Sequence, residues 1–220
     1  MSTQDFWPPL YFRGERLEVG AEELRRLGSL LEHRRVSGLG EVGLDYSVEE
    51  RWWYGQAQAL REMLPLSQCR QVIVLHCRPR TSSIPDILGP YLHLWTILSE
   101  VLRRREYGNR RKLQQPLVLH SFSGDRTVVD QFVGLFDHCY FSFSGMVSRF
   151  ETHQTEALRA VPEDRLLLET DAPHLPVGGR QFSSPWQLRR VAREVAVRLE
   201  MRVDRVMALA VMNGRRVFRV

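Results

Sequence analysis

The chain has 220 residues, of which 43% are hydrophobic and 26% are charged, and its formal net charge is +5 at pH 7. These values predict a single globular domain over residues 1–220 and exclude a disordered chain. No apolar run reaches the ~18 residues that a membrane span needs, and the first residues lack a signal-peptide pattern. We therefore expect neither a membrane protein nor a secreted one.

The cysteine count indicates the cellular compartment, and the type of basic residue indicates the chemical class of partner. Three cysteines are too few for a disulfide framework, which favours a reducing compartment, cytoplasmic or nuclear. Of the 31 basic residues, Lys112 is the one lysine and the other 30 are arginines. Because the guanidinium group matches the geometry of phosphate, this excess slightly favours a phosphate-bearing partner such as nucleic acid.

Helical patterns alternate with short runs of apolar and β-branched residues. In chain order, the predicted elements are a helix over 21–33, a strand over 36–46, a helix over 54–65, a strand over 71–77, a helix over 91–105, a strand over 116–122, a helix over 127–136, a strand over 138–144, a helix over 150–160, a strand over 165–170, and helices over 185–200 and 203–218. The strands are short apolar runs, which is typical of parallel strands covered on both faces. The repeated units predict an α/β fold with about five parallel strands.

Ionisable residues occupy four of the five predicted strand ends. They are Glu41 in the first strand, His76 and His120 at the ends of the second and third, and Asp171 after the fifth. The carboxyl ends of parallel strands converge on one edge of a sheet, where active sites lie. Two imidazoles and two carboxylates meeting there would suit Zn²⁺, Mn²⁺ or Mg²⁺. Each residue taken alone also has a plainer interpretation, as a hydrogen-bonded or ion-paired structural side chain.

Six short segments form an ordered series along the chain, and four of them contain the ionisable residues named above. They are GEVGLDY at 40–46, VLHCR at 74–78, HSFSG at 120–124, YFSFSG at 140–145, LETDAPHL at 168–175 and NGRRVF at 213–218. Together they resemble, in this order, successive motifs of the TatD family. One such motif would be weak evidence, whereas six in the same order make the resemblance specific over roughly residues 36–218.

The resemblance implies a TIM-barrel-like hydrolase of the amidohydrolase type, which uses one or two divalent metal ions to cleave phosphodiesters, typically in DNA. Glu41 would bridge two ions and His76 and His120 would complete one site. Asp171 would bind the other ion and help to activate water. Arg78 would hold a substrate phosphate, the alternative being a plain surface arginine. We therefore expect a metal-dependent deoxyribonuclease with Asp171 and Glu41 as its catalytic residues.

One departure from the family pattern concerns the ligand set. TatD-type enzymes begin with a strand that carries a His-x-His pair, and this sequence contains no such pair. The chain resembles strands four to eight of an eight-stranded barrel, which predicts an incomplete barrel, reduced activity, and strand edges open to a partner or an oligomer. Two other functions stay open: non-catalytic nucleic-acid binding by a degenerate paralogue, and hydrolysis of a small amide or ester.

Aromatic residues follow two of these segments. Trp52, Trp53 and Tyr54 come shortly after the first, and Trp186 comes after the fifth, where the family has a related Pro-Trp element. We expect the first three to pack in the core or at the rim, and Trp186 to pack beneath the site. Stacking of a nucleic-acid base on one of them is the alternative.

Overall fold

The computed structural model describes residues 19–81, 83–105, 111–179 and 181–219. Residues 1–18, which belong to the domain predicted over 1–220, lie outside the described residues. The strands are β1 (Gly38–Asp45), β2 (Val72–Arg78), β3 (Leu117–Leu119), β4 (Cys139–Phe143) and β5 (Leu166–Leu168). The helices are α1 (Ala21–Glu32), α2 (Trp53–Met63), α3 (Ile84–Arg105), α4 (Arg126–Leu135), α5 (Thr152–Ala160), α6 (Leu188–Leu199) and α7 (Val203–Phe218).

The five strands form one parallel sheet in the order β1-β2-β3-β4-β5. Each strand lies beside the next one in the chain, and a helix connects each neighbouring pair, as parallel pairing requires. All residues of β3 and β4 are buried, which explains their continuous apolar character. The predicted α/β fold with five parallel strands is confirmed.

Two helices begin three or more residues away from their predicted start. The third helix was predicted over 91–105. Proline lacks the amide proton that a helix interior uses, so Pro90 carries a local cost inside a helix. The structure begins α3 at Ile84 and keeps Pro90 inside it. Burial of the apolar stripe that follows, which includes Tyr91 and Leu94, outweighs the local cost of the proline. Before α6, residues 185–187 form a separate 3-10 turn, so that helix starts three residues later than predicted.

The two faces of the sheet carry different side chains, since successive strand residues point to opposite sides. The main core covers one face, and within it Phe122 packs edge to face on Phe141 and Phe143 with ring centroids 5.0 and 6.0 Å apart. The opposite face carries a smaller buried cluster of Val72, Val118, Tyr140, Leu167 and Val217. His76 and His120 follow Val72 and Val118 by an even number of residues, so they lie on this second face.

A helix that crosses a bilayer needs about 20 predominantly apolar residues. Over the described residues, every helix is too short or too polar to cross a membrane. This observation agrees with the absence of a long apolar run in the sequence.

Candidate metal centre

A bulge in β1 places Glu41. The pairing of β1 with β2 shifts by one residue between Leu39 and Val42, so β1 carries an extra residue there. Such a bulge bends a strand and changes the direction of a side chain. Gly40 suits this position, because a Cβ built on it would lie 2.6 Å from the Cβ of Val74. The close packing of β1 against Val74 therefore explains why a glycine precedes Glu41.

Two histidines from the neighbouring strands meet the Glu41 carboxylate. His76, in β2, donates from Nδ1 to Oε1 of Glu41 at 2.6 Å. His120, which directly follows β3, has its Nε2 3.6 Å from the same oxygen. The two imidazole centroids are 6.4 Å apart. The bulged β1, the second half of β2 and the end of β3 thus bring these three groups together.

Asp171 reaches the same cluster from the segment after β5. Its Oδ1 lies 3.3 Å from Nε2 of His120. The backbone at Asp171 has φ of 51°, in the left-handed region that few residues other than glycine, asparagine and aspartate adopt. The structure therefore brings all four predicted ligands, Glu41, His76, His120 and Asp171, into one chain of contacts.

Glu169 is a member of the cluster that the sequence analysis did not single out. His120 donates from Nδ1 to Oε2 of Glu169 at 3.0 Å, and the backbone amide of Ser121 donates to Oε1 at 2.6 Å. A carboxylate on one imidazole nitrogen fixes the tautomer and leaves the other nitrogen, here Nε2, for a metal. The sequence held a signal for this role, because Glu169 precedes Asp171 by two residues, the spacing of one strand face.

Charges within the cluster shift its acid–base properties. The hydrogen bond from His76 is the main reason that the pKa of Glu41 is lowered, against the opposing effect of burial. Burial alone would lower the pKa of His120, but the hydrogen bond and charge of Glu169, together with the charges of Glu41 and Asp171, raise it to about 9. Burial is the main cause that raises the pKa of Asp171, opposed by His120.

Arg78 lies at the last position of β2, beside this cluster. Its side chain is 60% exposed, and its Nη1 is 3.9 Å from Oδ2 of Asp45. The same Asp45 oxygen is 3.7 Å from Nε2 of His76. Asp45 therefore joins Arg78 to the histidine side of the cluster, and an exposed guanidinium stands at its edge.

The spacing of the donor atoms tests whether the cluster suits a divalent ion. Two ligands ~2.1 Å from a tetrahedral ion are roughly 3.4 Å apart. His120 Nε2 meets this spacing with Asp171 at 3.3 Å and with Glu41 at 3.6 Å, whereas Glu41 and His76 are hydrogen-bonded at 2.6 Å. Accordingly, no group of three or more histidine, cysteine, aspartate or glutamate residues in the described ranges is arranged to hold an ion as it stands. The donor types fit, and binding requires His76 to move away from Glu41.

Trp53 and Trp186 lie in different environments. Trp53 is half-buried and stacks on Tyr46 with ring centroids 3.9 Å apart, and Arg80 lies over its ring at 5.0 Å. This placement agrees with the expected packing at the rim, whereas Tyr54, for which the same was expected, is 69% exposed. Trp186 does not pack beneath the site, because its side chain is 93% exposed. The prediction for Trp186 was wrong, since the turn at 185–187 directs the ring to solvent instead of into the core.

Comparisons with known proteins agree on one family. The family model for TatD-related DNases matches residues 9–219. The uncharacterized metal-dependent hydrolase YabD of Bacillus subtilis is 26% identical, over 97% of this chain and 76% of its own length. The 3'-5' ssDNA/RNA exonuclease TatD of Erwinia tasmaniensis is 27% identical, over 91% of this chain and 73% of its own length.

A solved structure supports the same assignment. The crystal structure of YJJV, a TatD homologue of Escherichia coli K12, superposes with a TM-score of 0.73 and 25% identity, covering 93% of this chain and 73% of that one. The residues that the family model matches, 9–219, contain the whole sheet and the cluster around Glu41. The chain belongs to the TatD-related DNase family.

Proposed function

We propose that this chain is a metal-dependent phosphodiester hydrolase that acts on DNA. The observation that carries the proposal is the contact chain of Glu41, His76, His120 and Asp171, with atom separations of 2.6–3.6 Å at the carboxyl ends of the strands. Membership of the TatD-related DNase family and the exonuclease relative in Erwinia support the reaction class. Because residues 1–220 contain no His-x-His pair, we expect slow turnover.

The cation-binding side chains would be Glu41, His76, His120 and Asp171, with one or two divalent ions among Mg²⁺, Mn²⁺ and Zn²⁺. Bound there, a divalent ion would lower the pKa of a water molecule and neutralise charge on the phosphoryl oxygens. Glu169 would keep the proton of His120 on Nδ1, so that Nε2 faces the cluster. Mixed nitrogen and oxygen donors are suited to these ions.

Proton transfer and phosphate binding would be carried out by Asp171 and Arg78. Asp171 would accept the proton of the attacking water, since its carboxylate is next to His120 at 3.3 Å. Arg78 would hold the phosphate with its exposed guanidinium, because charge-assisted hydrogen bonds to phosphate are short and strong. These contacts are to the sugar–phosphate backbone, so we expect weak base preference at the cleaved bond.

Location and assembly belong to the same proposal. A cytoplasmic or nuclear setting would keep Cys69, Cys77 and Cys139 reduced, and all three are free thiols.

Within the described residues, β1 and β5 each pair with one neighbouring strand. An oligomer or a partner strand could cover these edges.

Divalent-dependent cleavage tests the proposal. A 5'-labelled single-stranded DNA oligonucleotide is incubated with Mg²⁺ or Mn²⁺ and with wild-type protein or Glu41→Gln. The expected result is shortening of the oligonucleotide by wild type, loss of shortening with EDTA, and loss in Glu41→Gln. Glu100→Gln is the matched control, because Glu100 lies on α3 and pairs with Arg61 and Arg104 away from the cluster. Cleavage that is equal in Glu41→Gln and wild type would refute the assignment.

Non-catalytic nucleic-acid binding is the second candidate. The absence of a His-x-His pair from residues 1–220 favours it, because the TatD pattern supplies two imidazole ligands there. This candidate predicts that Glu41→Gln and His120→Ala bind DNA as wild type does, with no hydrolysis in any of the three proteins. Cleavage that requires both residues would exclude it.

A further inference from the structure

A cavity of about 290 Å³ lies where the first two strands begin. It is lined by residues of three segments: 34–37 before β1, 70–71 before β2, and 218–219 at the end of α7. The strands are parallel, so their amino ends share the edge of the sheet that is opposite to the candidate metal centre. Along β2, the distance from Val72 to His76 is roughly 13 Å. The cavity is therefore separate from the metal centre.

The charge in this cavity is of one sign. Over the described residues its lining contains no aspartate or glutamate, and its four arginines are Arg34, Arg35, Arg70 and Arg219. All four are exposed, and within residues 19–81, 83–105, 111–179 and 181–219 none of them forms an ion pair. Other exposed arginines do form one, such as Arg205 with Glu163 at 2.7 Å. We call this site the arginine cavity.

Buried hydrogen bonds fix the loop that carries the first two arginines to the start of β2. Gln71 is buried, and its Nε2 donates to the carbonyls of Leu31 at 2.7 Å and of Val36 at 3.0 Å. The Val72 amide donates to the Ser37 carbonyl at 3.0 Å. The loop is thus held on both sides of the two arginines. An ordered loop loses less entropy when a ligand binds.

The end of α7 closes the third side of the arginine cavity. Phe218 packs against the buried cluster on the second face of the sheet, which fixes the last turn of the helix there. Arg219 follows with φ of 57°, in the left-handed region, and this conformation ends α7. Phe218 is half-buried and forms an apolar wall of the cavity. Residues far apart in the sequence are therefore brought together around one space.

The chemistry of the lining favours a phosphate-bearing anion. The planar guanidinium fork matches the spacing of phosphate oxygens, and hydrogen bonds between the two are charge-assisted. A single carboxylate would leave most of the positive charge uncompensated, whereas phosphoryl groups carry up to two charges each. Small-molecule sites have volumes from about 300 Å³ upwards, so the cavity has room for a small molecule.

We propose that the arginine cavity binds a small phosphate-bearing anion, with its phosphoryl groups between the guanidiniums of Arg34, Arg35, Arg70 and Arg219. The site goes beyond the proposed function, because none of its residues belongs to the metal centre. A bound anion would neutralise the mutual repulsion of the four arginines. It would also connect the loop before β1, the start of β2 and the end of α7, so binding should stabilise the fold.

Calorimetric titration with pyrophosphate tests the proposal, in EDTA and at low ionic strength, where charges are least screened. Wild type is compared with Arg35→Gln, Arg70→Gln and Arg103→Gln. Arg103, on α3, is the matched control because it is exposed and does not line the cavity. Loss of one charge-assisted hydrogen bond predicts roughly 10-fold weaker binding in each cavity variant. Arg103→Gln should bind as wild type does.

Two further ligands identify the source of the phosphate. Inorganic phosphate and adenosine monophosphate are titrated at the same ionic strength as pyrophosphate. Tighter binding of the nucleotide than of inorganic phosphate, lost in Arg70→Gln, would assign an organic phosphate that also contacts Phe218. Equal or tighter binding of inorganic phosphate, lost in the same variant, would assign an inorganic anion. Either result supports the proposal.

Thermal unfolding gives a second measurement. Pyrophosphate at about 100 times its Kd should raise the Tm of wild type by roughly 5–10 °C, and the same concentration should raise that of Arg70→Gln by less. Without ligand, Arg35→Gln and Arg70→Gln should unfold at the wild-type temperature or slightly above it, because both side chains are exposed and unpaired by carboxylates. Misfolding is then excluded as the cause of weaker binding.

The results that would overturn the proposal are specific. They are no binding of all three ligands by wild type, or equal binding by wild type and both cavity variants. A loss confined to Arg78→Gln would place the anion at the metal centre, and binding of a DNA 12-mer without binding of the small anions would also contradict the proposal.

The proposal and the proposed function fail separately. Pyrophosphate binding that falls in Arg70→Gln, with no divalent-dependent cleavage by wild type, would support the arginine cavity and refute the hydrolase. Cleavage by wild type with no binding of the small anions would refute the arginine cavity and leave the hydrolase intact.

Discussion

Gly43 lies in the closest backbone contact between β1 and β2. A Cβ built on Gly43 would lie 2.7 Å from the carbonyl carbon and 2.9 Å from the amide nitrogen of His76, and closer still to its carbonyl oxygen. Real Cβ atoms do not approach backbone atoms this closely, so Gly43→Ala forces the two strands apart. The backbone of His76 pairs with Gly43 in the parallel ladder and cannot give way as a flexible side chain would.

The loss of stability expected for Gly43→Ala follows from the backbone atoms that the new Cβ would meet. Adding a methyl group to a packed interior costs about 1–3 kcal/mol when side chains adjust, and here backbone must move, so we expect about 3 kcal/mol. With a urea m-value of about 2 kcal/mol/M, the unfolding midpoint should fall by roughly 1.5 M. The separation of β1 from β2 should also displace Glu41 from His120, whose Nε2 lies 3.6 Å from Oε1 of Glu41, and so weaken divalent-ion binding.

Gly214→Ala is the matched control for this prediction. Gly214 lies inside α7, and a Cβ built there meets nothing within 4 Å. Alanine should therefore stabilise the protein by up to about 1 kcal/mol through helix propensity. Urea unfolding followed by circular dichroism measures both variants. If Gly43→Ala unfolds at the wild-type urea concentration, the close approach of β1 to β2 is incorrect.

Three further predictions concern the cluster and the closing helix. Glu169→Gln keeps the size of the side chain but removes the charge that holds His120, so calorimetric titration with Mn²⁺ should show roughly 10-fold to 100-fold weaker binding with an unchanged fold. Asn213→Ala removes two 2.8 Å hydrogen bonds from a buried amide to the carbonyls of Glu163 and Leu166. It should cost about 2 kcal/mol and lower the Tm by roughly 4–8 °C in a thermal scan, whereas an unchanged Tm would contradict the role of the amide. Removal of divalent ions by EDTA should abolish DNA cleavage on a gel, and added Mn²⁺ should restore it; cleavage that persists in EDTA would contradict a metal-dependent reaction.

The sheet could be predicted because each strand can be recognised from its local sequence. Each is a short apolar run followed by a polar or charged residue, and the parallel arrangement follows from the helices between them. The TatD resemblance and the fold class are confirmed. That residues 1–220 form a single domain, and that Glu41, His76, His120, Asp171 and Arg78 carry the reaction, stay predictions.

The details that the sequence analysis missed depend on contacts between distant residues. The bulge that directs Glu41 is a property of the pairing of β1 with β2, which no single strand encodes. Glu169 acts through His120, 49 positions earlier in the chain. The exposure of Trp186 results from hydrogen bonds of Gln187 that fix the turn, so a Pro-Trp motif alone could not reveal it.

The central claim is that Glu41, His76, His120 and Asp171 hold a divalent cation. Electron paramagnetic resonance of Mn²⁺ tests it directly, because free and protein-bound Mn²⁺ are counted in the same sample. We expect one or two bound ions per chain in wild type and in Glu100→Gln, with binding strongly weakened in Glu41→Gln. Mn²⁺ binding that is undiminished in Glu41→Gln, or absent from wild type, would contradict it.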